Sequence, residues 1–119
     1  MRLLSVDPAS PVPPYEQLRG QVVAAVEAGE LAPGERLPPV RRLAADLGVA
    51  PGTVARTYKE LEADGVVETR GRGGTVVAAR SGAESEAVEA AAAYAERVRR
   101  LGLDGERAVA LVRAALGTT

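Results

Sequence analysis

The chain has 119 residues, carries 15 basic and 16 acidic side chains for a net charge of -1, and contains neither Cys nor His. That length holds one compact domain, or a small domain with a short appendage. The missing residue types exclude disulfides, thiolate metal sites and thiol nucleophiles, and remove the commonest general base and zinc ligand. No catalytic residue, metal site or cofactor is therefore expected. Apolar residues make up 46%, but three tyrosines are the only aromatics, so the core must be aliphatic. No apolar run approaches the ~20 residues of a membrane span, and Met1-Arg2-Leu3-Leu4 opens no signal-peptide stretch. A soluble, cytoplasmic protein without a membrane partner is expected. Near-neutral charge argues against a non-specific nucleic-acid coat, yet the cations cluster at residues 36 to 42, 56 to 59 and 70 to 72.

Residues 1 to 12 read as an extended arm with Pro8 and Pro11. Pro13-Pro14 suits the first turn of a helix, and Tyr15, Leu18, Val22, Ala25 and Val26 follow at helical spacing until Gly29. Pro33-Gly34 signals a turn within residues 30 to 36. Val40, Leu43, Ala44 and Leu47 predict a second helix over 39–47, with Gly48 at its C-terminal cap. Val54, Tyr58 and Leu61 form the stripe of a third helix over 52–64, stopped by Gly65. Tyr15, Leu18, Val22, Leu43, Leu47, Val54, Tyr58 and Leu61 are the expected core. Residues 66–69 and 75–77 read as two strands, with Arg70-Gly71-Arg72-Gly73-Gly74 as the hairpin tip. Residues 80 to 83 look like a hinge. Two helices over 84–101 and 105–116 follow, the second with Asp104 as N-cap. The predicted fold is mainly α with a small β-hairpin: a winged helix-turn-helix domain over 1–79 and a short two-helix tail over 80–119.

Residues 37 to 77, LPPVRRLAADLGVAPGTVARTYKELEADGVVETRGRGGTVV, closely resemble the DNA-binding domain of GntR-family transcriptional regulators. Residues 13 to 38 match that family's first helix and turn, so the resemblance runs over 13–77 without a gap. The short helical tail and Ala50-Pro51-Gly52-Thr53-Val54 resemble the YtrA-type subfamily. The resemblance implies a homodimeric bacterial repressor, with a double-stranded DNA operator as partner. A small-molecule effector is a further candidate partner, but no residue set in the tail reads as a ligand site, so its existence and identity stay open. The resemblance also implies that Arg41 reaches DNA. Pro51 stands where other subfamilies carry an Arg, and Ala50 stands where the cap is often Ser or Asn, a change that typically costs ~1 kcal/mol.

The residues support physical roles at the same positions. Thr53 and Arg56 lie three apart on the polar face of the third helix, where a recognition helix meets base edges. Arg56 has an alternative as a solvated residue paired with Glu60 at i+4. Arg42 suits a phosphate contact, and Lys59 reads as exposed. Pro51, Gly52 and Thr53 open the third helix, where the free amides of Gly52 and Thr53 favour a phosphate. Arg70, Gly71, Arg72 and Gly73 form a tip whose small residues allow close approach to a minor groove, or an ordinary Gly-rich turn.

In the tail, Val88, Ala92, Ala95, Val98, Leu101, Val109, Val112 and Leu116 are the expected dimerisation stripe, because two short helices cannot bury both their apolar faces alone. The alternative is a tail folded back on its own domain. For the whole protein, the alternative to an inverted-repeat DNA reader is a helical protein-interaction module that keeps the winged-helix fold without binding DNA. An enzyme ranks behind both, since no carboxylate pair is framed by a site signal.

Overall fold

A computed structural model describes residues 4–117 and divides the chain into two compact units, the first ending at Arg80 and the second starting at Ser81. The first unit contains α1 (Pro14–Glu27), α2 (Val40–Leu47), α3 (Pro51–Ala63), β1 (Val67–Thr69), a short 3-10 turn (Gly71–Gly73) and β2 (Thr75–Val77). The helix bounds fall within a residue or two of the spacing-based expectation. Helix α3 is the hub, packing on α1, α2 and β1. Leu18 and Val22 of α1, Leu43 of α2, Val54 and Leu61 of α3, and Leu31 and Val77 are essentially sealed from solvent. Tyr15 and Leu47, expected in the core, are only half-buried. Thr57 is the buried polar residue among those described; its hydroxyl lies 3.0 Å from the Thr53 carbonyl and 3.2 Å from that of Tyr15, which satisfies it.

The strands pair antiparallel, with Val67 opposite Val77 and Thr69 opposite Thr75. The other edge of β2 is also used. Val77 donates to the Glu35 carbonyl at 2.9 Å, and Leu37 donates to that of Thr75 at 2.8 Å. The segment after the Pro33-Gly34 turn is thus a third strand-like edge, with an isolated bridge from Arg36 to Val76. Local spacing carries no sign of so short a long-range pairing.

The arm expectation needs correction from Leu4 onward; residues 1–3 lie outside the described ones. Leu4 is buried in the core. Gln21 exchanges two 2.9 Å hydrogen bonds with the backbone of Ser5. Gln17 accepts from the Asp7 amide at 2.9 Å and donates to the Val12 carbonyl at 2.7 Å. Two glutamines one helical turn apart strap the segment to α1.

Tyr58 donates its hydroxyl to the Pro38 carbonyl at 2.6 Å, tying α3 to the segment before α2. Burial pushes its pKa from about 10 up to about 12. The folded state therefore holds the phenol proton more tightly than the unfolded chain. The stability this contributes is fully present below pH 10 and is lost as pH rises through 12. Tyr58→Phe is expected to cost about 1 kcal/mol at neutral pH through the lost hydrogen bond, and to flatten the fall in stability above pH 10. Denaturant titrations of both proteins from pH 8 to 11.5 check this.

The second unit is a helical hairpin of α4 (Gly82–Arg100) and α5 (Gly105–Leu116). The hinge expected over 80–83 is partly helix. The Ser81 hydroxyl accepts from the Glu84 amide at 3.1 Å and caps α4, so Gly82 and Ala83 are helical. Asp104 caps α5 as expected, accepting from the Arg107 amide at 2.8 Å. Tyr94 joins the helices by donating to the Ala108 carbonyl at 2.9 Å. Between them runs an apolar groove of about 350 Å³, lined in part by Tyr94, Val98, Leu103, Ala108 and Val112. Val98, expected on an outward stripe, is instead buried; Leu101 and Leu116 remain 65% and 72% exposed.

Candidate nucleic-acid interface

Helices α2 and α3 are joined by Gly48, Val49 and Ala50. Gly48 has φ 70° and ψ 32°, a left-handed backbone that suits glycine. Its amide donates to Ala45 at 3.3 Å, and the Val49 amide donates to Ala44 at 3.0 Å. These bonds close α2 and turn the chain sharply into α3. Ala50 supplies no side-chain cap, and Pro51 sits in the first turn.

The expectation of two free amides at the start of α3 is corrected. Thr53 donates to the Ala50 carbonyl at 3.0 Å, which leaves Gly52 as the amide of that pair open to a ligand. A Cβ placed on Gly52 meets no protein atom within 4 Å. Nothing in the fold requires glycine there.

The cations sort into two groups. Arg41 and Arg42 on α2, Lys59 on α3 and Arg72 on the hairpin tip are exposed, and none has an ion pair or side-chain hydrogen bond to another described residue. The others are held. The Arg56 guanidinium lies 3.7 Å from the Tyr15 ring centroid, with its Nε 3.4 Å from Glu60 Oε2. This includes the Glu60 pairing weighed as its alternative. Arg70 donates from Nε to Glu68 Oε1 at 2.7 Å and lies along β1 rather than at the tip.

Arg36 was not singled out by sequence reasoning. It donates from Nη2 to the Arg72 carbonyl at 3.0 Å and splints the tip from the neighbouring edge. Gly74, at φ 68°, lets it approach: a Cβ there would lie 3.2 Å from Arg36 Nε. The position of Arg36 just before Leu37-Pro38 was visible in the sequence; its pairing partner was not. Gly71 and Gly73 flank Arg72 as the expected small residues of the tip.

Charge is uneven along the unit. Residues 36–59 hold five basic side chains against Asp46 alone, and residues 70–80 hold three with no acidic one. Residues 60–69 between them carry Glu60, Glu62, Asp64 and Glu68 and no basic side chain, so the basic stretches are 36–59 and the hairpin tip onward, in a chain of near-zero net charge. Such stretches can neutralise phosphates, and arginines can read base edges. Among the described residues no cluster of metal-ligating side chains occurs, and no helix is long and apolar enough to cross a membrane.

The same framework recurs in known proteins. The HTH-type transcriptional regulator Rv1152 of Mycobacterium tuberculosis is 49% identical over 84% of this chain and 83% of its own. The HTH-type transcriptional repressor YtrA of Bacillus subtilis is 44% identical over 60% of this chain, which spans 55% of that protein. Among solved structures, YtrA from Sulfolobus acidocaldarius, a GntR-family transcription factor, superposes with a TM-score of 0.63 at 32% identity, over 78% of this chain and 98% of that one. The DNA-binding domain of AraR in complex with operator ORX1 gives 0.56 at 25% identity, over 64% of this chain and 96% of that one. The model for the bacterial regulatory proteins of the gntR family matches residues 14–77, the three helices and the hairpin described above. The chain belongs to the GntR family of transcriptional regulators, a winged helix-turn-helix protein of YtrA-like type.

Proposed function

We propose that the protein is a cytoplasmic repressor that binds an inverted-repeat operator as a homodimer. The observation that carries this reading is the group of exposed arginines on α2 and the hairpin tip (Arg41, Arg42 and Arg72) whose side chains pair with no other described residue. A cation without an intrachain partner loses no ion pair when a phosphate or base replaces water. The likeness to the AraR domain bound to its operator supports the DNA target, and the likeness to the YtrA repressor supports the sign of regulation. Leu101, Val109, Val112 and Leu116 expose apolar surface on the tail. A second copy would bury that face and set two reading helices on one duplex. In this reading Val98 supports the hairpin from within and the other stripe residues meet the partner.

Sedimentation of the protein with a duplex carrying the full operator tests the reading. Two chains per duplex are expected, with affinity falling by about three orders of magnitude between 50 and 200 mM salt if six or more phosphates are neutralised. One chain per duplex, or affinity insensitive to salt, contradicts it. Gly52→Ala adds a second check. The fold tolerates the methyl, so stability should rise by about 0.4–1 kcal/mol, while the methyl blocks close phosphate approach and weakens operator binding severalfold. Thermal melts and a binding titration on the same sample separate the two effects.

A further inference from the structure

Arg56 is clamped from two sides. The Tyr15 ring lies 3.7 Å from its guanidinium carbon, and Glu60 Oε2 lies 3.4 Å from Nε. That carboxylate oxygen is shielded from solvent and has no hydrogen bond of its own. The clamp is braced in turn. The buried Thr57 hydroxyl, on the residue next to Arg56, shares its one proton between the Thr53 carbonyl at 3.0 Å and the Tyr15 carbonyl at 3.2 Å. Even so, the Arg56 side chain stays 61% exposed. Among the described residues, no hydrogen bond or ion pair takes its two terminal amino groups.

We propose that Tyr15 is a positioning residue for sequence reading: its ring holds the Arg56 guanidinium so that the terminal amino groups meet the O6 and N7 edge of a guanine. The inference rests on the DNA-reading function proposed above. A guanine edge is read by two parallel hydrogen bonds, which require a fixed guanidinium plane. A phosphate asks only for a nearby charge, which a freely rotating side chain supplies as well. The ring on one face sets the plane, and the carboxylate attracts Nε without a hydrogen bond, which leaves the reading edge open.

The test compares wild type with Tyr15→Phe, Tyr15→Leu, Arg56→Ala and the Tyr15→Leu/Arg56→Ala double variant. Each is titrated with the duplex that wild type selects and with a scrambled duplex of equal length, and each is melted to follow stability. Tyr15→Phe keeps the ring and should bind within twofold of wild type. Tyr15→Leu should lose about 3- to 5-fold per subunit on the selected duplex and nothing on the scrambled one. In the Arg56→Ala background, Tyr15→Leu should cost no further affinity, although any loss in melting temperature persists. Equal losses on both duplexes would overturn the proposal. So would a full Tyr15→Leu loss without Arg56, or a Tyr15→Phe loss as large as that of Tyr15→Leu, which would make the hydroxyl the contact. A wild-type protein that prefers no duplex overturns the DNA-reading function itself, and the proposal with it.

Discussion

Replacing Arg41 by alanine is expected to weaken operator binding by about 1–3 kcal/mol for each subunit, with almost no change in stability. Arg41 lies in the first turn of α2, exposed and, among the described residues, without an ion pair or side-chain hydrogen bond. Its removal breaks no side-chain bond to another described residue, so the melting temperature should stay where it is; surface changes of this kind typically fall within about 0.5 kcal/mol. The loss should depend on sequence. A base-reading arginine contributes to the selected duplex and little to a scrambled one, so discrimination collapses while the salt slope barely moves. Arg42→Ala provides the contrast. As a phosphate contact, Arg42 should cost both duplexes alike and reduce the salt slope by about one. Titrations at four salt concentrations on both duplexes measure these quantities.

Leu61→Ala is expected to destabilise the first unit by about 2–5 kcal/mol. Leu61 has no solvent exposure and sits on α3, the helix that packs on α1, α2 and β1. The core contains no Phe or Trp that could swing into the space, and its other members are mostly Leu, Val and Ala. Small domains carry only about 5–15 kcal/mol of net stability, so this one truncation removes a large share. A melting temperature lower by at least about 10 °C should follow. DNA binding should fall only where the variant is partly unfolded, and recover on cooling. Calorimetry paired with binding at two temperatures distinguishes this from a lost contact.

Much of the reading frame was legible because it is local. The apolar stripes of α2 and α3, the left-handed glycine between them and the strand-turn-strand run each depend on residues a few positions apart. Asp104 was readable as a cap for the same reason. Ser81 carried an equally local signal, a Glu three residues on, but its Ser-Gly neighbourhood resembled a linker. What escaped depends on long-range geometry. Gln17 and Gln21 strap the N-terminal segment through side chains whose targets lie 5 to 16 residues away. Arg36 meets Val76 and the Arg72 carbonyl across 36 to 40 residues, where periodicity carries no information. Tyr15 reads as core from its spacing on α1, yet it is half-buried and faces Arg56. Among the cations of α2, α3 and the hairpin tip, residue type and position were visible in the sequence. Which of them are tied to another described residue and which are not became visible only in three dimensions.

The most direct test of the central claim is selection of bound sequences from a random duplex pool by the purified wild-type protein. The account predicts enrichment of an inverted repeat whose half-sites match two symmetry-related reading helices on one duplex. Recovery of sequences with no shared element, at every salt concentration that permits binding, would contradict it.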